Sequence, residues 1–181
     1  MTAALLLIDV QLAFDEPAWG RRNNPGAEAA IASLLAAFRA KGLPVVHVKH
    51  DSVEPASTLR PDRPGNAFKP EAQPLPGEPV FPKSVNSAFI GTGLEAHLRA
   101  RGITALVIAG LTTNHCVSTS ARMAGNLGFA TTVVSDACAT FDLADAEGVI
   151  PAETLHRIGL AELRGEFAAI RTADEVVASL R

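Results

Sequence analysis

Residues 105–128 read ALVIAGLTTNHCVSTSARMAGNLG, and the rest of the chain falls into place around them. Leu106, Val107, Ile108 and Ala109 form a continuous apolar run, the pattern of a strand buried on both faces. Gly110 ends the run, and a short polar turn, Thr112 to His115, leads straight into Cys116. Beyond it, Val117, Ala121, Ala124 and Leu127 recur at intervals of three and four, the spacing of an amphipathic helix, and Gly128 suits its C-terminal cap. Cys116 is therefore expected where the carboxyl end of a strand becomes the amino end of a helix. In open α/β sheets ligands bind at that edge. Backbone N–H groups and the helix dipole there favour an anion, whether thiolate or oxyanion. The ordinary fate of a free cysteine is a small buried hydrophobe, so a chemical role for Cys116 requires partners from elsewhere in the chain.

Outward from this stretch, strand and helix patterns alternate. Leu5 to Val10 reads as a first strand with Asp9 at its carboxyl end, followed by a loop from Gln11 to Asn24 that carries Phe14, Trp19, Arg21 and Arg22. Asn24-Pro25 has the form of a helix start, Ile31, Leu34, Leu35 and Phe38 make one apolar stripe, and Gly42 closes the helix. Residues 44–49 form a second strand, with His50 and Asp51 just beyond it. His47, inside that strand, reads as core. Residues 52–82 are rich in Pro, Gly and polar side chains. A loop of that length is a functional feature more often than filler, and Val80 and Phe81 within it open a short strand ending at Lys83. Thr92 to Glu95 and Thr172 to Glu175 both have the form of capping boxes that start helices. Residues 130–135 form a strand ending at Asp136, which itself reads as a cap. Residues 141–151 are irregular, residues 152–164 are helical with Leu155, Ile158 and Leu163 inward, and residues 167–171 make a last strand. This alternation predicts an α/β fold: a three-layer, open, mostly parallel, Rossmann-like sheet with helices on both faces. Right-handed crossovers bring Asp9, His50, Lys83, Cys116 and Asp136 to one edge.

The bulk properties fit one soluble domain spanning residues 1–181, with 48% apolar and 19% charged residues. The net charge is −3 and no Lys/Arg cluster occurs, so neither nucleic acid nor an anionic membrane is an expected partner. MTAALLLIDV lacks a basic start and a cleavage site, and reads as a strand rather than a signal peptide. Two cysteines make no disulfide framework, and reduced thiols in a cytoplasmic setting are the simpler expectation. A nucleophilic thiol needs a base and a neighbouring positive charge. Asp9 is the candidate base, and Lys83 is the candidate ammonium that holds it and depresses the thiol pKa. No paired-His metal motif, no Gly-x-Ser-x-Gly and no Gly-x-Gly-x-x-Gly occurs, so metal, serine and dinucleotide chemistry are all disfavoured.

LLLIDVQ at 5–11, FPKSVNSAF at 81–89, VIAGLTTNHCVSTSARMAGNLGF at 107–129 and VVSDACATFD at 133–142 together resemble the isochorismatase-like cysteine hydrolases, in the family's order and spacing. The resemblance implies a catalytic triad of Asp9, Lys83 and Cys116. It also implies a cis peptide between Leu111 and Thr112, and an oxyanion hole made by the backbone N–H groups of Thr112 and Cys116. The implied reaction is hydrolysis of an amide, carbamoyl or ureido C–N bond in a small molecule through a thioester, with no cofactor or metal, in a homo-oligomer, dimer or tetramer. Phe14, Trp19, Asn86, Phe89 and His115 are the pocket candidates, chosen for their nearness to the triad segments. Two other readings remain: a metal-assisted amidase of the nicotinamidase type, whose metal pattern near strand two is missing here, and a non-catalytic, thiol-sensing oligomeric scaffold.

Overall fold

The computed structural model describes residues 2–180. Six of its strands, β1 (Thr2–Ile8), β2 (Val45–His50), β3 (Val80–Lys83), β4 (Ile103–Leu111), β5 (Ala130–Ala139) and β8 (Ala169–Arg171), pair in parallel in the order β3-β2-β1-β4-β5-β8. The chain builds outward from β1 on one side and then restarts at β4 on the other. The topological switch point therefore lies between β1 and β4, where a crevice opens beyond the strand ends. Asp9 follows β1 and Cys116 follows β4, so the topology alone brings acid and thiol to that crevice.

Successive strand side chains point to opposite faces, and both faces are covered. Leu6, Ile8 and Ile108 pack with Leu94 and Leu98 of α2 (Leu94–Ala100), with Ala121 and Ala124 of α3 (Ser118–Asn126), and with Leu160 and Leu163 of α4 (Ala152–Leu163). Leu5 and Leu7 face Ile31, Leu34, Leu35 and Phe38 of α1 (Ala27–Ala40) and Val176 of α5 (Ala173–Ser179). Truncating one such fully buried Leu or Ile to Ala costs about 2–5 kcal/mol, so these two layers fix the strand ends firmly. At the switch point Gly110 adopts φ 131° opposite Ile8, and a Cβ there would lie 2.0 Å from the Ile8 carbonyl oxygen. Only glycine lets β1 and β4 approach so closely just before Asp9 and Cys116.

Several local expectations are corrected. Asn24 is not a helix cap: it sits at φ 42°, and its Nδ2 donates to the carbonyls of Ser135 and Cys138, so α1 begins after Gly26. Thr92 makes no capping box, because its hydroxyl donates back to Ala88 O at 2.6 Å and Glu95 pairs with Arg99 instead. The capping box of Thr172 and Glu175 does form. The fifth strand runs past Asp136. A bulge takes its register from Val133 opposite Ile108 to Cys138 opposite Gly110, while Asp136 turns out to accept the Ala173 amide at the start of α5. Residues 143–150 form a hairpin, β6 (Leu143–Asp145) and β7 (Gly148–Ile150), rather than an irregular segment. In α4 Ile158 is exposed, and Leu160 takes the inward position with Leu163. The 11–24 loop is ordered by two 3₁₀ turns, Leu12–Asp15 and Pro17–Trp19. His47 is core as expected, with Nε2 2.9 Å from Glu78 Oε2.

Candidate active site

Each group in the crevice arrives on a strand end. Asp9 leaves β1 with φ 51°, a left-handed conformation that aspartate tolerates better than most residues, and its amide donates to Val48 O. Lys83 ends β3 and is the register partner of His50 at the end of β2. Cys116 lies in a wide π-helical turn, Thr113–Val117, between β4 and α3, and the Leu111–Thr112 peptide before it is cis. The turn is propped from α4, since Thr113 Oγ1 lies 2.8 Å from His156 Nδ1, and from β5's end, where the Thr140 hydroxyl donates to Asn114 Oδ1.

The side chains of Asp9 and Lys83 are fully buried. Lys83 Nζ donates to Asp9 Oδ2 at 2.6 Å, to His50 Nδ1 at 2.9 Å and to Cys116 Sγ at 3.3 Å. An ammonium has three N–H groups, and each here has one acceptor. That arrangement fixes His50 as the neutral tautomer, with its proton on Nε2. Burial and then the Lys83 charge lower its pKa to about 4. Burial raises Asp9 to about 6, against the pull of Lys83. Burial, reinforced by the Asp9 charge, raises Cys116 to about 12, and Lys83 only partly opposes it. At neutral pH the resting pair is therefore carboxylate and thiol. Lys83 pulls the thiol pKa down as expected, but its attraction is smaller than the cost of placing a thiolate beside a carboxylate in a dry site, so the net shift is upward. Asp9 Oδ1 is buried with no hydrogen-bond partner among the described residues, leaving one carboxylate lone-pair face free to take a proton.

One donor atom each from Asp9, His50 and Cys116 lies within 4.8 Å of the others, a set of oxygen, nitrogen and sulfur that would suit a soft divalent ion. The Lys83 ammonium already contacts all three residues, so the chain supplies the cation for this cluster itself, and a metal ion would have to displace it.

A cavity of about 340 Å³ opens onto the cluster. Four of the expected pocket residues line it: Phe14, Trp19, Asn86 and His115, together with Thr112 and Cys116. Asn86 Oδ1 accepts from the Cys116 thiol at 3.8 Å. Phe14 and Trp19 pack with ring centroids 4.8 Å apart, and Trp19 continues onto Phe141 at 5.2 Å.

The family model for the isochorismatase domain matches residues 3–175. The chain belongs to the isochorismatase family. An uncharacterised isochorismatase family protein of Bacillus subtilis, YrdC, is 47% identical over 96% of this chain and 94% of its own length. The crystal structure of an isochorismatase-family protein from Chromobacterium violaceum, 53% identical, superposes with a TM-score of 0.95 over 99% of this chain and 93% of that one. The ureidoacrylate amidohydrolase RutB of Methylobacterium radiotolerans is 31% identical over 92% of this chain and 74% of its own length.

Within this isochorismatase-family site the expected residues separate into two groups. Asp9, Lys83, Cys116, Thr112, Phe14, Trp19, Asn86 and His115 converge on the cavity or its buried floor. Phe89 does not: it turns into the core and stacks on Phe129 at 6.1 Å, because its chain neighbour Ala88 is anchored to Ser120 of α3. The sequence reading missed the role of His50 as a hydrogen-bond acceptor from Lys83. The available signal was its place at a strand end beside the Lys83 strand. Ser57 and Leu59, from the long 52–82 segment, also line the cavity, and nothing in that Pro-rich stretch singled them out.

Proposed function

We propose that the chain is a cysteine amidohydrolase acting on a C–N bond of a small molecule, with Asp9, Lys83 and Cys116 as its catalytic group. The observation that carries this reading is the single ammonium bridging a buried carboxylate and a buried thiol at the floor of an open cavity. The relationship to an amidohydrolase of the same family supports the bond type.

The chemistry follows from the protonation states. Asp9, ionised above about pH 6, takes the Cys116 proton as the substrate displaces solvent, and Sγ bonds to the amide carbon. The carbonyl electron pair moves to oxygen, where the backbone N–H groups of Thr112 and Cys116 form the oxyanion hole. The pair returns, the C–N bond breaks, and Asp9 gives its proton to the leaving nitrogen. Water then adds to the thioester, with Asp9 accepting a water proton and returning it to the departing sulfur. Lys83 keeps acid and thiol at fixed spacing throughout, and its positive charge offsets the anion wherever it sits.

The test is ammonia release from a panel of small amides by the wild type and Cys116→Ala, with mass spectrometry for an acyl adduct on Cys116. Adduct formation together with a silent variant supports the reading. An active Cys116→Ala removes it. The three-donor cluster favours one competing reading, a metal-assisted amidase. Stoichiometric zinc in the purified protein, with activity lost to a chelator and restored by the ion, would replace the first reading with that one. Cys116 oxidation with no amide turned over would favour the thiol-sensing scaffold.

A further inference from the structure

The charges around the cavity restrict what it can hold. Among the described residues no lysine or arginine lines it. Lys83 lies beneath, and each of its three N–H groups already has an acceptor in the protein. His50 accepts one of those bonds at Nδ1, so its ring is uncharged and shows the cavity only an Nε2–H donor. Asp9 contributes a carboxylate to the same wall.

A side chamber of about 150 Å³ shares Trp19, Thr112 and His115 with the main cavity and is closed by Phe141, Leu143 and Asp142. It too has a carboxylate, and among the described residues no lysine or arginine lines it. Arg21, which pairs with Asp142, donates from Nε and Nη2 to that residue and from Nη1 and Nη2 to Glu153, so both edges of its guanidinium are taken. A ligand carboxylate would thus lose its water beside protein carboxylates, with no lysine or arginine in the lining to replace it. An apolar body would instead meet the rings of Phe14, Trp19 and Phe141.

We propose that the site takes an uncharged amide, its carbonyl over Cys116 and an apolar body running past Trp19 into the side chamber, and that it rejects amides carrying a carboxylate. This rests on the amidohydrolase reading above, so two measurements keep the two apart. The first is alkylation of Cys116 in the native protein by iodoacetamide and by iodoacetate, followed by mass spectrometry. The ratio of the two rate constants, divided by the same ratio for N-acetylcysteine, is expected to rise about tenfold in favour of the neutral reagent. The second is turnover of 4-methylpentanamide against succinamate, which place an isopropyl group and a carboxylate at the same distance from the amide. The neutral amide is expected to lead by about a hundredfold in kcat/KM. A ratio at or below that of free thiol, or succinamate turned over as fast, overturns the neutral-ligand inference while leaving a cysteine amidase in place. Undiminished turnover by Cys116→Ala overturns the cysteine mechanism instead, and the alkylation ratio then still reports the charge preference of the cavity.

Discussion

Cys116 and Cys138 make an instructive pair. Both are buried, and burial pushes both thiols up to about 12. Their surroundings nevertheless differ in kind. Cys138 is fully enclosed in β5 opposite Gly110, within the apolar core. Cys116 lies at a cavity wall, with an ammonium at 3.3 Å and a carboxylate bonded to that same ammonium. Neither burial nor thiol acidity separates the proposed nucleophile from the structural sulfur. What separates them is an adjacent base that is already ionised and a route for substrate. In the proposed mechanism the thiolate need not exist at rest, since proton transfer forms it only when a carbonyl is present to be attacked.

The sharpest way to break this contrast is to exchange the fates of the two thiols. Cys116→Ala and Asp9→Asn are expected to lower kcat/KM by about 10⁴-fold or more with the fold intact, as read by ammonia release beside circular dichroism. Substantial activity in either would place the chemistry elsewhere.

Lys83→Met should be nearly as damaging to turnover, and it also exposes the electrostatics. It leaves Asp9 buried with no countercharge, at a cost of about 3–5 kcal/mol when ionised. The folded pKa of Asp9 already lies above its unfolded value, so its contribution to stability is fully present below about 3.8 and is lost as pH rises through about 6. Without Lys83 that loss grows. Urea unfolding should find the variant far weaker than wild type at pH 8 and closer to it at pH 5. An equal deficit at both values would mean that the pair is not coupled as described.

The wild-type rate profile sharpens the same point on a smaller scale. For Asp9 as the proposed base the carboxylate is the working form, so kcat/KM should fall about tenfold per unit below pH 6 and stay level just above it. A limb near pH 4 instead would point to His50 as the titrating group. The smallest effect belongs to Cys138. Cys138→Ala removes a fully buried sulfur, so a stability loss of about 1–2 kcal/mol is expected, with kcat/KM within about twofold of wild type. Lost turnover in a folded Cys138→Ala protein would invert the assignment.

The parts of this site that were legible in the sequence were those announced by strand ends. Asp9, Lys83 and Cys116 each follow an apolar run, and the polarity change marks the sheet edge. Less legible were features decided by register and by the opposite face of the sheet. The Ser135-Asp136 pair looked like a strand terminus because two polar residues interrupt the run, yet they swing out in a bulge and pairing resumes at Cys138. Phe89 sat beside triad residues in sequence but was claimed by Phe129 on the core side. Asn24 was read as a cap from its neighbour Pro25, whereas its amide is used to tie two carbonyls of β5 to the loop that carries Trp19. In each case a long-range partner outweighed a local preference that was itself correctly read.

The contact of Gly110 with the Ile8 carbonyl has a practical consequence for anyone wishing to alter this protein. Acid and thiol are spaced by two backbones in touch, so the floor of the cavity is set by the β1–β4 pairing itself. Ser57 and Leu59 at one end and Phe141 and Leu143 at the other come from segments outside that pairing. If the proposed amide chemistry holds, retargeting should therefore be sought by varying those four positions, while a methyl group at 110 would part β1 from β4 without touching Asp9 or Cys116.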